Sequence, residues 1–169
     1  MNVMILTGIT YIKKVSEFLN QLNQIASCNN VLVQAMNADK IAGQEHIMFA
    51  IEKALSSIEK GSNLANDPGI EIMRYASGKR QIDEAFSMGV RKGENMLALV
   101  VMGDENDVRE SVTELKEIIT EKPLLKCSSS KINILMAQFN ITEEEIDAVG
   151  KEKIPDLVIE RVALVDYLK

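Results

Sequence analysis

The stretch whose residue types and spacing suit chemistry is Ser77-Gly78-Lys79-Arg80-Gln81. Two adjacent cations beside a hydroxyl and an amide can hold an anion, phosphate foremost, through charge-assisted hydrogen bonds. The elements that must position them lie on either side. Upstream, Asp67 followed by Pro68 reads as a helix start: the carboxylate caps free N–H groups, and proline at the first helical position loses no hydrogen bond. Ser77-Gly78 reads as that helix's stop, because glycine enters the left-handed region at low cost. Downstream, Ile82, Ala85 and Phe86 fall at helical spacing, with Gly89 as the next stop. The expectation is helix, tight break, helix, with the second helix starting near Lys79 or Arg80 and its free N–H groups facing an anion. A plainer reading stands beside it, a helix–helix corner whose serine and glycine serve geometry and whose cations are solvated.

Other chemistry is thinly represented. The chain has no GxxxxGK[ST] loop, no GxGxxG, no HExxH and no GxSxG. Its one histidine, His46, rules out a multi-histidine metal site, and on its own it reads as a satisfied helix histidine. Cys28 and Cys127 form no CxxC pair and read as reduced, packed thiols. Glu143-Glu144-Glu145 fits the first turn of a helix, where acids complement the helix dipole. The sequence points away from an enzyme, and no metal or cofactor is expected.

Composition bounds the partners. The 169 residues carry a net charge of −6, so a generally basic nucleic-acid binder is excluded while a local patch is not. From Pro68 to Lys92 five bases face three acids, whereas from Thr142 to Lys169 eight acids face four bases. These two regions suit different partners. Aromatics are 4% with no tryptophan, so the core must be aliphatic and extended base-stacking platforms are unavailable. No apolar run approaches the roughly 20 residues needed to cross a bilayer, and the start lacks a basic leader. A single domain over 1–169 with no membrane partner, in the cytoplasm, is the expectation.

Periodicity supplies the remaining elements. Strands are expected at Asn2–Leu6, Val31–Met36 and Met96–Met102, the last in the middle of a sheet, with a short edge strand at Leu124–Lys126. Gly8 and Thr10 should lead into a helix carrying Val15, Phe18, Leu22 and Ile25, and Arg91–Asn95 should be a charged turn. Further helices are expected at Gln44–Lys60, from Asp104 to Thr120, at Lys131–Phe139, after the capping box Thr142-x-x-Glu145, and from Pro155 to Leu168. The last is apolar all round, which fits either a core helix or one covered by another protein. The fold class is α/β, a small mixed sheet of three or four strands packed with about seven helices.

Glu71-Ile72 … Ser77-Gly78-x-Arg80-Gln81-Ile82-x-Glu84-Ala85-x-x-x-Gly89-Val90, together with Gln44-Glu45-His46-Ile47 … Ala50 … Lys53-Ala54, resembles the PRPK-binding (CGI-121-like) protein family. The matches cover about the central third of the chain. The resemblance implies a non-catalytic subunit of the KEOPS complex, which makes threonylcarbamoyladenosine in tRNA. Two partners are implied: the KEOPS kinase subunit and the tRNA acceptor end. Archaeal members resemble holders of the single-stranded acceptor end, a role that falls here on Ser77, Gly78, Lys79, Arg80 and Gln81. Arg74, Lys40 and His46 are added by proximity alone. Kinase contact is assigned to the last helix through Ile159, Val162, Ala163 and Asp166. Eukaryotic relatives carry a basic stretch in the connector before the central helices. Here Ser62-Asn63-Leu64-Ala65-Asn66-Asp67 is uncharged apart from Asp67, which argues against phosphate contact by the connector, and Ser77-Gly78-Lys79-Arg80-Gln81 resembles the archaeal form rather than the eukaryotic Asn-rich one. The competing readings are a small α/β enzyme or metabolite-binding domain with a pocket at the sheet's carboxyl edge, and a protein that docks the kinase without touching RNA.

Overall fold

A computed structural model describes residues 1–168. In chain order the elements are β1 (Asn2–Ile12), α1 (Val15–Asn29), β2 (Leu32–Asn37), α2 (Gln44–Glu59), α3 (Pro68–Ser77), α4 (Ile82–Ala85), β3 (Gly93–Gly103), α5 (Glu105–Leu115), β4 (Thr120–Glu121), α6 (Ile132–Phe139), α7 (Glu143–Val149) and α8 (Ile154–Ala163). The class is α/β, as the alternation of patterns implies. The chain divides into two units, one of Met1–Ala38 with Gly89–Leu124, the other of Asp39–Met88 with everything from Leu125 on.

The first unit holds the sheet, in the order β2-β3-β1-β4. All three pairings are antiparallel, where a mixed sheet was expected. β3 lies between β2 and β1, and Leu97 to Met102 are all buried, as its unbroken apolar run requires. Pairing lengthens the strands beyond their local signals. β1 runs on through Gly8 and Thr10 to Ile12, each residue matched against β3 down to Gly93. The supposed turn at Arg91–Asn95 is therefore half strand; Asn95 closes the bend before it by donating to the Arg91 and Gly93 carbonyls. The edge strand is at Thr120–Glu121 rather than Leu124–Lys126. It pairs with Gly8 and Ile9, and a Cβ at Gly8 would lie 2.5 Å from the Thr120 carbonyl oxygen. α1 and α5 supply Phe18, Leu22, Val108, Val112 and Leu115 to an aliphatic core with Leu6, Leu99 and Val101.

The second unit is helical. Asp67 accepts the Ile70 N–H at 3.0 Å with Pro68 in the first turn, and α3 ends at Ser77, as the sequence indicates. α2 packs along α3 and α8 and buries Ile47, Ile51 and Ala54. Leu55, on the same helix, is exposed. Thr142 and Glu145 form the reciprocal capping box at the start of α7. Ile141 and Ile146 lie in a core with Leu135, Phe139, Leu157 and Val158. α8 is shorter than expected, ending at Ala163 before a 3-10 turn over Val165–Tyr167. Its all-round apolar character resolves into a buried stripe of Ile154, Leu157, Val158, Val162 and Val165 and an exposed end with Leu164, Tyr167 and Leu168. None of the described helices is long and apolar enough to cross a membrane.

Candidate nucleic-acid interface

The break after α3 is fixed by its own residues and by a helix far along the chain. Gly78 takes the left-handed conformation (φ 71°) and donates its N–H to the Tyr75 carbonyl. A side chain there would be strained and crowded, since a Cβ would sit 2.9 Å from the Phe139 ring. The Ser77 hydroxyl donates to the Arg74 carbonyl at 2.7 Å and accepts the Lys79 N–H at 3.1 Å. From α6, Gln138 Nε2 donates to the Ser77 carbonyl at 2.9 Å. Arg74 Nη1 donates to the Arg80 carbonyl at 3.1 Å. Three side chains thus hold the backbone of the corner from inside.

The corner's outer side chains are left for something else. Lys79 and Arg80 are half-buried, Gln81 is exposed, and neither cation makes a side-chain ion pair or hydrogen bond among the described residues. Both line an open cleft of about 360 Å³ together with Gly78, Phe139 and Arg161. Arg161 is already engaged: its guanidinium donates to the Phe139 and Asn140 carbonyls and to both Glu145 carboxylate oxygens, at 2.7 and 2.8 Å. Those bonds hold the Glu145 carboxyl below the usual carboxylate range. The cleft therefore keeps two uncompensated cations against one lining carboxylate, Glu84. Arg80 also lines a second cleft of about 390 Å³ with Ser62, Leu64, Arg74, Val165 and Asp166.

The expected second helix is much reduced. α4 is a single turn that begins at Ile82 and gives way to a 3-10 turn over Phe86–Met88. A helix of one turn brings little dipole, so attraction of an anion rests on Lys79 and Arg80 rather than on helix N–H groups.

Of the three residues added by proximity, Arg74 and His46 are buried and Lys40 is half-buried. Arg74 is 2% exposed, with Nε and Nη2 forked onto Glu71 at 2.5 and 3.2 Å and its guanidinium 4.5 Å from the Tyr75 ring centre. Burial alone would lower the Arg74 pKa, but the Glu71 hydrogen bonds and charge outweigh it and raise it. His46 is buried. Its Nδ1 accepts the Ala42 N–H at 3.0 Å, so Nε2 carries the proton and donates to the Ala76 carbonyl at 2.9 Å. The ring meets Phe139 edge-on, and desolvation lowers its pKa to about 4. His46 is a structural strut beneath the corner, not a surface ligand. Lys40 donates to the Ser87 carbonyl at 2.8 Å, and Gln138 bonds both the Ser87 hydroxyl and the Ser77 carbonyl, which ties Lys40 to the same network. Ser77 is itself fully buried and serves geometry.

The residues assigned to kinase contact also separate. Ile159 and Ala163 are half-buried on one stripe of α8, whereas Val162 is fully buried within its unit and cannot meet a partner without repacking. Asp166 accepts from Tyr75 Oη and pairs with Lys53 Nζ at 3.0 Å. Burial would raise its pKa, but those two bonds lower it on balance. Sequence reasoning missed Gln138, Phe139 and Arg161, which also line the first cleft. Among the described residues no cluster of histidine, cysteine, aspartate and glutamate could hold a metal ion.

The family described as "Kinase binding protein CGI-121" matches residues 9–166. The chain belongs to this CGI-121 family. It is also 27% identical over 136 residues to the regulatory protein Cgi121 of the archaeon Methanocaldococcus jannaschii, a match covering 80% of this chain and 84% of that protein. The CGI-121 match runs through the corner, both clefts and α8, well beyond the central third that carried the resemblance.

Proposed function

We propose that this CGI-121 protein is a non-catalytic accessory subunit of a KEOPS-type complex, binding its kinase and recruiting tRNA by the 3′ acceptor end for threonylcarbamoyladenosine modification. The observation that carries the RNA half is the pair Lys79 and Arg80, uncompensated on an open cleft in a protein of net charge −6. Charge left unpaired in such a place raises the local concentration of an anionic ligand. A cleft of this size admits a nucleotide rather than a duplex, which favours a single-stranded end. Linking kinase and RNA on one small body would raise the effective concentration of tRNA at the modifying enzyme. The rival reading as a small enzyme gains no acid–base group from His46, which is enclosed and fully partnered.

Changing Lys79 and Arg80 together to Ala should weaken tRNA binding, measured by filter binding with and without the terminal CCA. Each lost phosphate contact should reduce the slope of log K against log salt by about 0.7 for a single strand. Unchanged affinity would remove RNA recruitment from this corner. For the kinase half, the half-buried stripe of Ile159 and Ala163 on α8 is the proposed contact. Ile159→Glu with Ala163→Glu should abolish co-purification with the kinase subunit while leaving RNA binding intact. Retained co-purification would move the kinase contact off α8.

A further inference from the structure

We infer that Arg74 is a positioning residue for the basic corner: it sets where Arg80 stands by holding the Arg80 carbonyl from inside α3, and does not itself touch RNA. This rests on the proposed RNA role of Lys79 and Arg80. The geometry begins with Glu71, which is fully buried. One of its carboxylate oxygens accepts from Ser57 Oγ at 3.0 Å and from the Leu64 N–H at 3.1 Å, and the other from the Ala65 N–H at 3.4 Å. The same carboxylate receives two arms of the Arg74 guanidinium, and the third arm reaches the Arg80 carbonyl. One buried pair therefore anchors both the connector before α3 and the corner after it. Those two segments both line the second cleft, through Ser62 and Leu64 and through Arg80.

A charge pair is a poor choice if stability alone is at stake. Desolvating both ions costs so much that an apolar pair of similar volume often does as well or better. An apolar pair could fill the inner face of α3 but would offer no donor to the Arg80 carbonyl and no acceptor to the connector. Directional anchoring of two loops is what the charged pair adds. The planar guanidinium is essential, because it carries donors in a fixed fork. A lysine ammonium at position 74 can satisfy Glu71, but it lacks the second arm that spans to Arg80.

The test is a double-mutant cycle on the full chain, read as affinity for a single-stranded RNA oligonucleotide ending in CCA over a range of salt. Arg80→Ala should weaken binding. Arg74→Lys should weaken it about 3- to 10-fold, as expected when one anchoring hydrogen bond is lost, and should lower the salt slope. Combined with Arg80→Ala, Arg74→Lys should add nothing, because it acts through that residue. If Arg80→Ala weakens binding but Arg74→Lys leaves it unchanged, or adds its full effect in the double variant, the positioning role is overturned while RNA recruitment stands. If Arg80→Ala has no effect, RNA recruitment at the corner falls and the positioning role falls with it. Should Arg74→Lys fail to fold, the apolar pair Glu71→Met with Arg74→Met replaces it, and wild-type affinity in that variant overturns the inference.

Discussion

Arg74 and Arg80 are six residues apart and carry the same group, yet one is locked inside α3 and the other stands open on two clefts. The locked one has a carboxylate three residues before it, an aromatic ring beneath it and a carbonyl in front of it. The open one has only its backbone carbonyl engaged. A cation's environment, not its type, decides whether it supports the fold or serves a ligand. In this chain a locked arginine and an unpaired one are joined by a hydrogen bond.

That contrast can be broken from the buried side first. Glu71→Gln leaves Arg74 charged and unmatched in the interior, and removing one partner of a buried pair typically costs about 3–5 kcal/mol. The midpoint of urea denaturation should drop accordingly; a near-native midpoint would mean that water reaches the pair. His46 sharpens the comparison next, as a second enclosed titratable group below the corner. Its folded pKa is lowered to about 4 from the ordinary 6.5, so the neutral ring is the folded form. The stabilisation is complete above pH 6.5 and is lost as pH falls toward 4, because the unfolded chain takes up the proton first; the loss is about 3 kcal/mol. Urea midpoints followed across this range, with the ring's titration read by NMR, check the sign and the window. A ring that titrates near 6.5 would place His46 in water. The smallest effect on stability belongs to the open side: Lys79→Ala with Arg80→Ala should shift unfolding by less than about 0.5 kcal/mol while cutting RNA affinity. A large loss of stability in that variant would show that the corner's cations hold the fold after all.

The parts of the fold that were legible in the sequence are those set by local chemistry. Asp67, Pro68 and Gly78 bound α3 correctly, and Thr142 with Glu145 placed α7, because caps and breaks act within a few residues. What depends on distant partners was not legible. β1 extends to Ile12 because β3 pairs with it throughout, and β4 is at Thr120–Glu121 because Gly8 lets it approach. The site divides the same way. Ser77 to Gln81 were assigned to it from their local pattern, whereas Gln138, Phe139 and Arg161 come from a part of the chain some 60 to 80 positions on. The burial of Arg74 and Val162 was not legible either, because it depends on which distant elements cover each helix.

The seat of Gly78 against the Phe139 ring has an evolutionary consequence. Position 78 is closed to every side chain as long as a full aromatic ring occupies position 139, and the positive φ closes it a second time. Lineages of this protein should therefore drift at these two sites only in concert, so that a relative that has lost the glycine is one whose ring has shrunk and whose elbow has been rebuilt.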